Sequence, residues 1–331
     1  MTPAPRGSGA SELFRAASAG DRGALARLLS VVERGGAEAR ELARLTFLRA
    51  GSAYAVGFTG APGSGKSTLT SAVIGEVRQR LGLPVAVLAI DPSSPVTGGA
   101  ILGDRVRMQE HALDDGVFIR SMATRGHLGG LAAAVPEAAR LLDATGWPLV
   151  IVETVGVGQV EIEVAATCDT VVVVLNPGWG DSVQANKAGL LEIADVLVIN
   201  KADRPGVNET ARDLRLMLQL SASLEWTPPI VETVASSGKG IAQLWDAVSS
   251  HRDHLESRGE LSSRRAERAR TETVRIARAR LEAALGAAVA GEAGKVLEDL
   301  GERSLDPEEA ADRLVEGVAL RLTDRDRGPL G

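Results

Sequence analysis

The chain has 331 residues with 37 basic and 43 acidic side chains, a net charge of −6, which argues against a protein that binds nucleic acid mainly by neutralising phosphates. Nine aromatic residues are too few for the stacking platforms of single-strand binders, and the lone cysteine, Cys168, excludes an intrachain disulfide and any multi-cysteine metal centre while suiting a reducing cytoplasm. The first thirty residues hold no long apolar run of the kind that makes a signal peptide or a membrane span, so the expectation is a cytoplasmic protein with no membrane partner.

After a Pro/Gly/Ser-rich start, Ser11 to Ala17, Asp21 to Glu33 and Ala37 to Arg49 have the spacing of short amphipathic helices, with Asp21 as N-cap of the second. From Tyr54 the pattern becomes apolar runs alternating with helical segments. AVGFTG is followed by a helix from Lys66 to Leu81, then VAVLAID, a helix near Asp104–Ala112, VFIRS, PLVIVET, TVVVVLN, VLVINK and IVETVA. Apolar strands separated by helices predict an α/β fold: a P-loop domain with a mostly parallel central sheet covered on both faces. The crossover through 66–81 makes the second strand parallel to the first. After about residue 262 the chain turns charged and helical, with Val274, Ala277, Leu281 and Leu285 on one stripe and a last helix beginning at Asp306-Pro307. That stripe either packs back on the domain or forms a subunit interface. The expected organisation is an N-terminal helical extension (1–52), a nucleotide-binding domain (53–258) and a C-terminal helical arm (259–331).

Gly60-Ala61-Pro62-Gly63-Ser64-Gly65-Lys66-Ser67, followed by Thr68, matches the phosphate-binding pattern G-x-x-x-x-G-K-[ST] and lies between a strand and a helix, as its mechanism requires. Its backbone N–H groups would face the β-phosphate at the positive end of the helix, Lys66 would reach the β- and γ-phosphates, and the Ser67 hydroxyl would join a Mg²⁺ shell. Asn200-Lys201-Ala202-Asp203 follows the strand VLVI. The Asp203 carboxylate can accept both N–H groups of guanine's Watson–Crick edge, which adenine does not offer, so the substrate expected is GTP and the product GDP. Only five of the 37 basic residues are lysine, and Lys66, Lys187, Lys201 and Lys239 fall in or beside these motifs. A compact ammonium is needed where a planar guanidinium does not fit.

Three acidic residues near strand ends, Asp91, Asp104 and Glu153, converge with Ser67 on the carboxyl edge of the sheet and suggest a magnesium site, since Mg²⁺ needs one or two carboxylates beside the phosphates and its waters. A helix cap is the plain alternative for any one of them. Glu153-Thr-Val-Gly156 has the form of a D-x-x-G switch with Glu in place of Asp, its Gly156 N–H sensing the γ-phosphate. Gln159 is the candidate for orienting the attacking water, so the residues expected to serve hydrolysis are Lys66, Asp104, Glu153 and Gln159.

The strings GAPGSGKST, AIDPSSPVTGGAILGDR, ETVGVGQVE, NPGWGDSVQANKAGLLEIAD and NKAD resemble the MeaB-type GTPases, also called ArgK-like, over about residues 15–262. The resemblance implies a homodimer joined through a C-terminal arm and a chaperone role toward an adenosylcobalamin-dependent acyl-CoA mutase of the methylmalonyl-CoA mutase type, with GTP hydrolysis coupled to cofactor loading or protection. It also implies that Ser67, Asp91, Asp104 and Glu153 surround the magnesium, and that 177–187, with Asp181 and Lys187, links nucleotide state to the mutase. Two positions depart from the pattern: the guanine-capping loop is Val234-Ala235-Ser236 where the family has Ser-Ala or Ser-Gly, and Asn176 precedes Pro177. Rival readings are a nickel-type metallochaperone GTPase and a module that holds nucleotide without hydrolysing it. The four histidines bear on the first rival; His251 and His254 share a helix face near Arg252 and are expected to be solvated, and Cys168 is expected to be a core thiol.

Overall fold

The computed structural model describes residues 9–91, 109–111, 113–123, 130–154, 167–178, 192–220, 225–290 and 294–326. Three helices open the chain: α1 (Ala10–Ser18), α2 (Arg22–Arg34) and α3 (Gly36–Phe47). Asp21 caps α2 as expected, its carboxylate accepting from Gly23 N at 2.8 Å and Ala24 N at 3.0 Å. There follow β1 (Tyr54–Gly60), α4 (Lys66–Leu81), β2 (Val85–Asp91), β3 (Val117–Ala123), α5 (Gly130–Ala144), β4 (Leu149–Thr154), β5 (Thr170–Leu175), β6 (Val196–Asn200), α6 (Val207–Leu220), β7 (Ile230–Thr233) and α7 (Ile241–Ser257). The last three helices are α8 (Glu260–Ala290), α9 (Gly294–Gly301) and α10 (Pro307–Asp326). Within the stretch expected to be helical near Asp104–Ala112, the described part is a single 3-10 turn, Gln109–His111.

Seven parallel strands form one sheet in the order β3-β2-β4-β1-β5-β6-β7. β1 and β2 are parallel but not neighbours, because β4 lies between them. Alternate side chains of each strand feed opposite layers. Val56, Phe58, Val172 and Val174 pack with Leu69, Val73, Leu244 and Val248 of α4 and α7. Leu88, Ile90 and Val152 pack with α5, which is itself covered by Leu25, Leu28, Leu29 and Leu42 of α2 and α3. Val171, Val173 and Leu197 pack under α6 through Ala211 and Leu214. A strand buried on both faces must be apolar along its whole length, which is why TVVVV and VLVI carry no polar alternation.

Two compact units are present, residues 1–265 and 266–331. In the second, Asp306 caps α10 by accepting from Glu308 N and Glu309 N, while Val274, Leu281 and Val315 are exposed. Among the described residues no helix is long and apolar enough to cross a membrane.

The amino ends of the strands are closed by polar side chains. The Asp143 carboxylate accepts from the Gly51, Ser52 and Ala53 amides, and the Arg265 guanidinium donates to the Gly51 and Ala53 carbonyls and, at 2.6 Å and 3.0 Å, to both oxygens of Asp169. The expectation that His251 is solvated is wrong. It is fully buried, with Nδ1 at 2.8 Å from Thr170 Oγ1, Nε2 at 3.2 Å from Asp195, and the Trp226 ring between it and His254. Thr170 Oγ1 also meets the Tyr54 hydroxyl at 2.5 Å, and burial pushes the Tyr54 phenol up. A polar side chain on α7 faces the core here with Nδ1 hydrogen-bonded to Thr170 and Nε2 beside the Asp195 carboxylate. Cys168 is buried, as expected.

The chain leading into β3 is tied to α4. Arg78 holds Asp114 through two hydrogen bonds of 2.8 Å and 2.9 Å, and the Gly116 amide adds a third at 2.7 Å, so the Asp114 carboxyl lies at about 2, below the ordinary carboxylate range. A carboxyl whose folded pKa is depressed stabilises the fold above its unfolded pKa and loses that contribution as pH falls toward the folded value. Asp114→Asn therefore flattens the fall in thermal midpoint between pH 4 and pH 2 relative to the unmodified protein, as read by circular dichroism melts across that range.

Candidate nucleotide site

The site is built where β1 ends beside β5. Gly60 has φ +136°, and a Cβ there would lie 2.1 Å from the Val174 carbonyl oxygen, so only glycine lets the chain leave the sheet at this point. The loop then curls into α4, which turns the N–H end of the helix toward the loop. Lys66 folds back over it, Nζ donating to Gly60 O at 2.7 Å and Ala61 O at 2.9 Å. Ser64, Lys66 and Ser67 are buried, whereas Pro62, Gly63 and Thr68 are exposed.

From beyond β5, β6 delivers Asn200 to the same loop. Its amide Nδ2 donates to Ser64 O at 2.9 Å, and its Oδ1 accepts from Thr233 Oγ1 at 3.1 Å and Ala235 N at 3.2 Å. Gly65 makes this possible: at φ +92°, a Cβ would come within 2.5 Å of Asn200 Nδ2. Lys201 takes a left-handed conformation at φ +59°, a strain that costs a β-carbon-bearing residue about 1 kcal/mol. That turn swings its side chain over the loop, where Nζ donates to Gly63 O at 2.6 Å. The expected loop residues, Asn200, Lys201, Val234 and Ala235 are thus brought together at one edge, and Asp203 and Ser236 stand exposed beside them.

β4 supplies the acidic member. Glu153 is buried, and its Oε1 accepts from Ser67 Oγ at 2.5 Å. Hydroxyl and carboxylate are hard oxygen donors of the kind magnesium takes, so this pair fits that ion. Asp91 closes β2 at the same edge of the sheet. Asp104, Gly156, Gln159, Asp181 and Lys187 lie outside the described residues, as does the side chain of Asp91. Among the described residues no group of three or more His, Cys, Asp or Glu side chains is placed to hold a metal.

Thr233, which motif spacing does not single out, completes the Asn200 contacts. Its only sequence signal is its place as the last residue of an apolar strand directly before the guanine-capping loop. Thr154 is similar: its hydroxyl reaches Thr59 Oγ1 at 3.1 Å and joins the ends of β4 and β1 beside Glu153 and Gly60. A neutral hydrogen bond to a buried amide is worth about 1 kcal/mol, roughly fivefold in affinity. Thr233→Val accordingly weakens GDP and GTP equally by about fivefold, measured by calorimetric titration.

Comparisons place this geometry among known proteins. Residues 25–290 match the family described as methylmalonyl Co-A mutase-associated GTPase MeaB. A protein of Pyrococcus abyssi described as a GTPase is 49% identical over 312 residues, which are 93% of this chain and 96% of that protein. GTPase ArgK of Escherichia coli is 40% identical over 262 residues, 76% of this chain and 78% of its own length. A crystal structure titled LAO/AO transport system kinase superposes with a TM-score of 0.69 at 27% identity, covering 96% of this chain and all of that one. With the phosphate loop, the guanine motif and the parallel sheet in their places, the chain belongs to the MeaB family of P-loop GTPases and hydrolyses GTP.

Proposed function

We propose that this GTPase is a magnesium-dependent nucleotide switch that serves, as a cytoplasmic homodimer, an adenosylcobalamin-dependent acyl-CoA mutase of the methylmalonyl-CoA mutase type. In this reading the nucleotide cycle is coupled to loading or protecting the mutase's cofactor. The observation that carries it is the family match over residues 25–290, whose description names that mutase.

The residues support a division of labour. The Asn200 amide locks the phosphate loop to the guanine side of the site, so base and phosphates are read by one rigid unit. Asp203 accepts the two guanine N–H groups, and the Val234-Ala235-Ser236 backbone faces the rest of the base. Lys66 supplies a point charge to the β- and γ-phosphates. Ser67 and Glu153 would hold magnesium, with Asp91 and Asp104 completing the set, and the ion would offset charge developing on the phosphates. Gly156 senses the γ-phosphate and Gln159 orients water. Catalysis here is positioning and charge stabilisation, and intrinsic turnover is slow where a partner completes the machinery.

Two measurements test these assignments. Asp203→Asn weakens GTP binding and shifts preference toward xanthosine triphosphate, whose extra carbonyl accepts from the new amide; a protein that binds ATP as tightly as GTP would refute the guanine assignment. GTP turnover rises when purified cobalamin-dependent methylmalonyl-CoA mutase is added. A rate unchanged by any such mutase refutes the partner while leaving the hydrolase intact.

A further inference from the structure

Consecutive residues of a strand point to opposite faces, so Glu153 and Thr154 separate at the end of β4: Glu153 joins the layer of α4, where it meets Ser67, and Thr154 faces the layer of α5. On β1 the same alternation puts Phe58 in the α4 layer and Thr59 on the other face, beside Thr154. Both threonines are buried, at 1% and 2% exposure. Thr154 Oγ1 donates to Thr59 Oγ1 at 3.1 Å and lies 3.4 Å from Phe58 O.

The place of this contact in the sheet gives it a task. β1 and β4 run in register from Tyr54 beside Leu149 to Phe58 beside Glu153, and there their pairing stops. β1 continues beside β5, with Thr59 next to Val173 and Gly60 next to Val174, while Thr154 stays next to Ile90 of β2. The two strands therefore part just where one delivers the phosphate loop and the other delivers Glu153. The hydroxyl pair is the next rung, made by side chains after the main chain has ceased to make one. On the opposite face Ser67 Oγ donates to Glu153 Oε1 at 2.5 Å. The end of β4 is thus held on both faces, by α4 on one and by β1 on the other.

We propose that Thr59 and Thr154 are positioning residues for GTP hydrolysis: their hydroxyl rung fixes the spacing between the end of β4 and the start of the phosphate loop, and so keeps the Glu153 carboxylate in reach of Ser67. The proposal rests on the reading that Glu153 serves hydrolysis. In that reading GDP is held by the phosphate loop and the guanine motif, to which the rung lends no side chain, so its loss falls on turnover and not on GDP affinity.

A buried hydroxyl that loses its partner costs stability, whereas replacing both partners by apolar groups of the same shape is close to neutral, and this separates positioning from packing. Turnover, GDP affinity in chelator and thermal midpoint are measured for the unmodified protein, Thr154→Val, Thr154→Ser, the double variant Thr59→Val/Thr154→Val, and Glu153→Gln. Thr154→Val is expected to lower kcat about tenfold and to lower the midpoint, with GDP affinity within about twofold. Thr154→Ser, which keeps the hydroxyl, stays within about threefold of the unmodified kcat. The double variant regains the midpoint, yet its kcat stays about tenfold low because two packed methyl groups supply no directed contact. A Thr154→Val protein with unchanged kcat, a serine variant as slow as the valine one, or a double variant that regains kcat along with the midpoint overturns the proposal. Full turnover of Glu153→Gln overturns the reading of Glu153 instead, whatever the threonine variants show.

Discussion

The phosphate loop and the end of β7 are joined through the side-chain amide of Asn200. One donor and one acceptor on the same planar group join the Ser64 carbonyl of the phosphate loop to Thr233 and Ala235 at the end of β7. These contacts are made at a buried position, so an amide that lost one would retain an unsatisfied polar group at a cost of about 1–3 kcal/mol. The amide thus dictates its neighbours: Gly65, because any β-carbon would occupy its space, and Lys201, because the next residue must turn left-handed to lay its stem across the loop. The phosphate-loop motif and the Asn200-Lys201 motif, separated by 136 residues of sequence, are mechanically one object.

The opposite edge of the sheet is governed by charge satisfaction in the same way. Asp143 and Arg265 take the amides and carbonyls of Gly51–Ala53 between them, so the passage from the N-terminal helices into β1 is fixed without any regular structure of its own. Arg265 is also paired with the buried Asp169, and truncating one member of such a pair leaves the other charged and desolvated. The chain between α3 and β1 reads in sequence as an unremarkable Gly-Ser turn; its rigidity comes from residues that arrive ninety and two hundred positions later.

What could be read in advance follows the range of the interactions involved. The strands and α4 were legible because full burial on both faces imposes an unbroken apolar run, and the phosphate loop and Asn200-Lys201 because their chemistry is written in adjacent residues. The position of β4 between β1 and β2 was not, since strand order is set by packing between distant segments. The burial of His251 is not legible in sequence for the same reason. Beside Arg252 it looks solvated, and only Thr170, Asp195 and Trp226, brought in from other elements, make a buried imidazole tolerable. Thr233 and Thr154 are ordinary residues whose contacts come from what the fold sets opposite them.

The intercalation of β4 also has a consequence for how the chain is made. Leaving the ribosome from its N-terminus, β1 meets its first strand partner only when β4 appears about 90 residues later, which at 5–20 residues per second is a wait of roughly 5 to 18 s. β2 waits for β3 and β4 in turn. During that interval β1 and the glycine-rich loop have no strand partner, β2 can pair only with β3, and a parallel sheet of long sequence separation closes slowly in any case. The three N-terminal helices, complete before either strand, share hydrophobic contacts with one another through Leu13, Phe14, Leu25 and Leu28. They are the first part of the molecule able to bury apolar surface on the nascent chain.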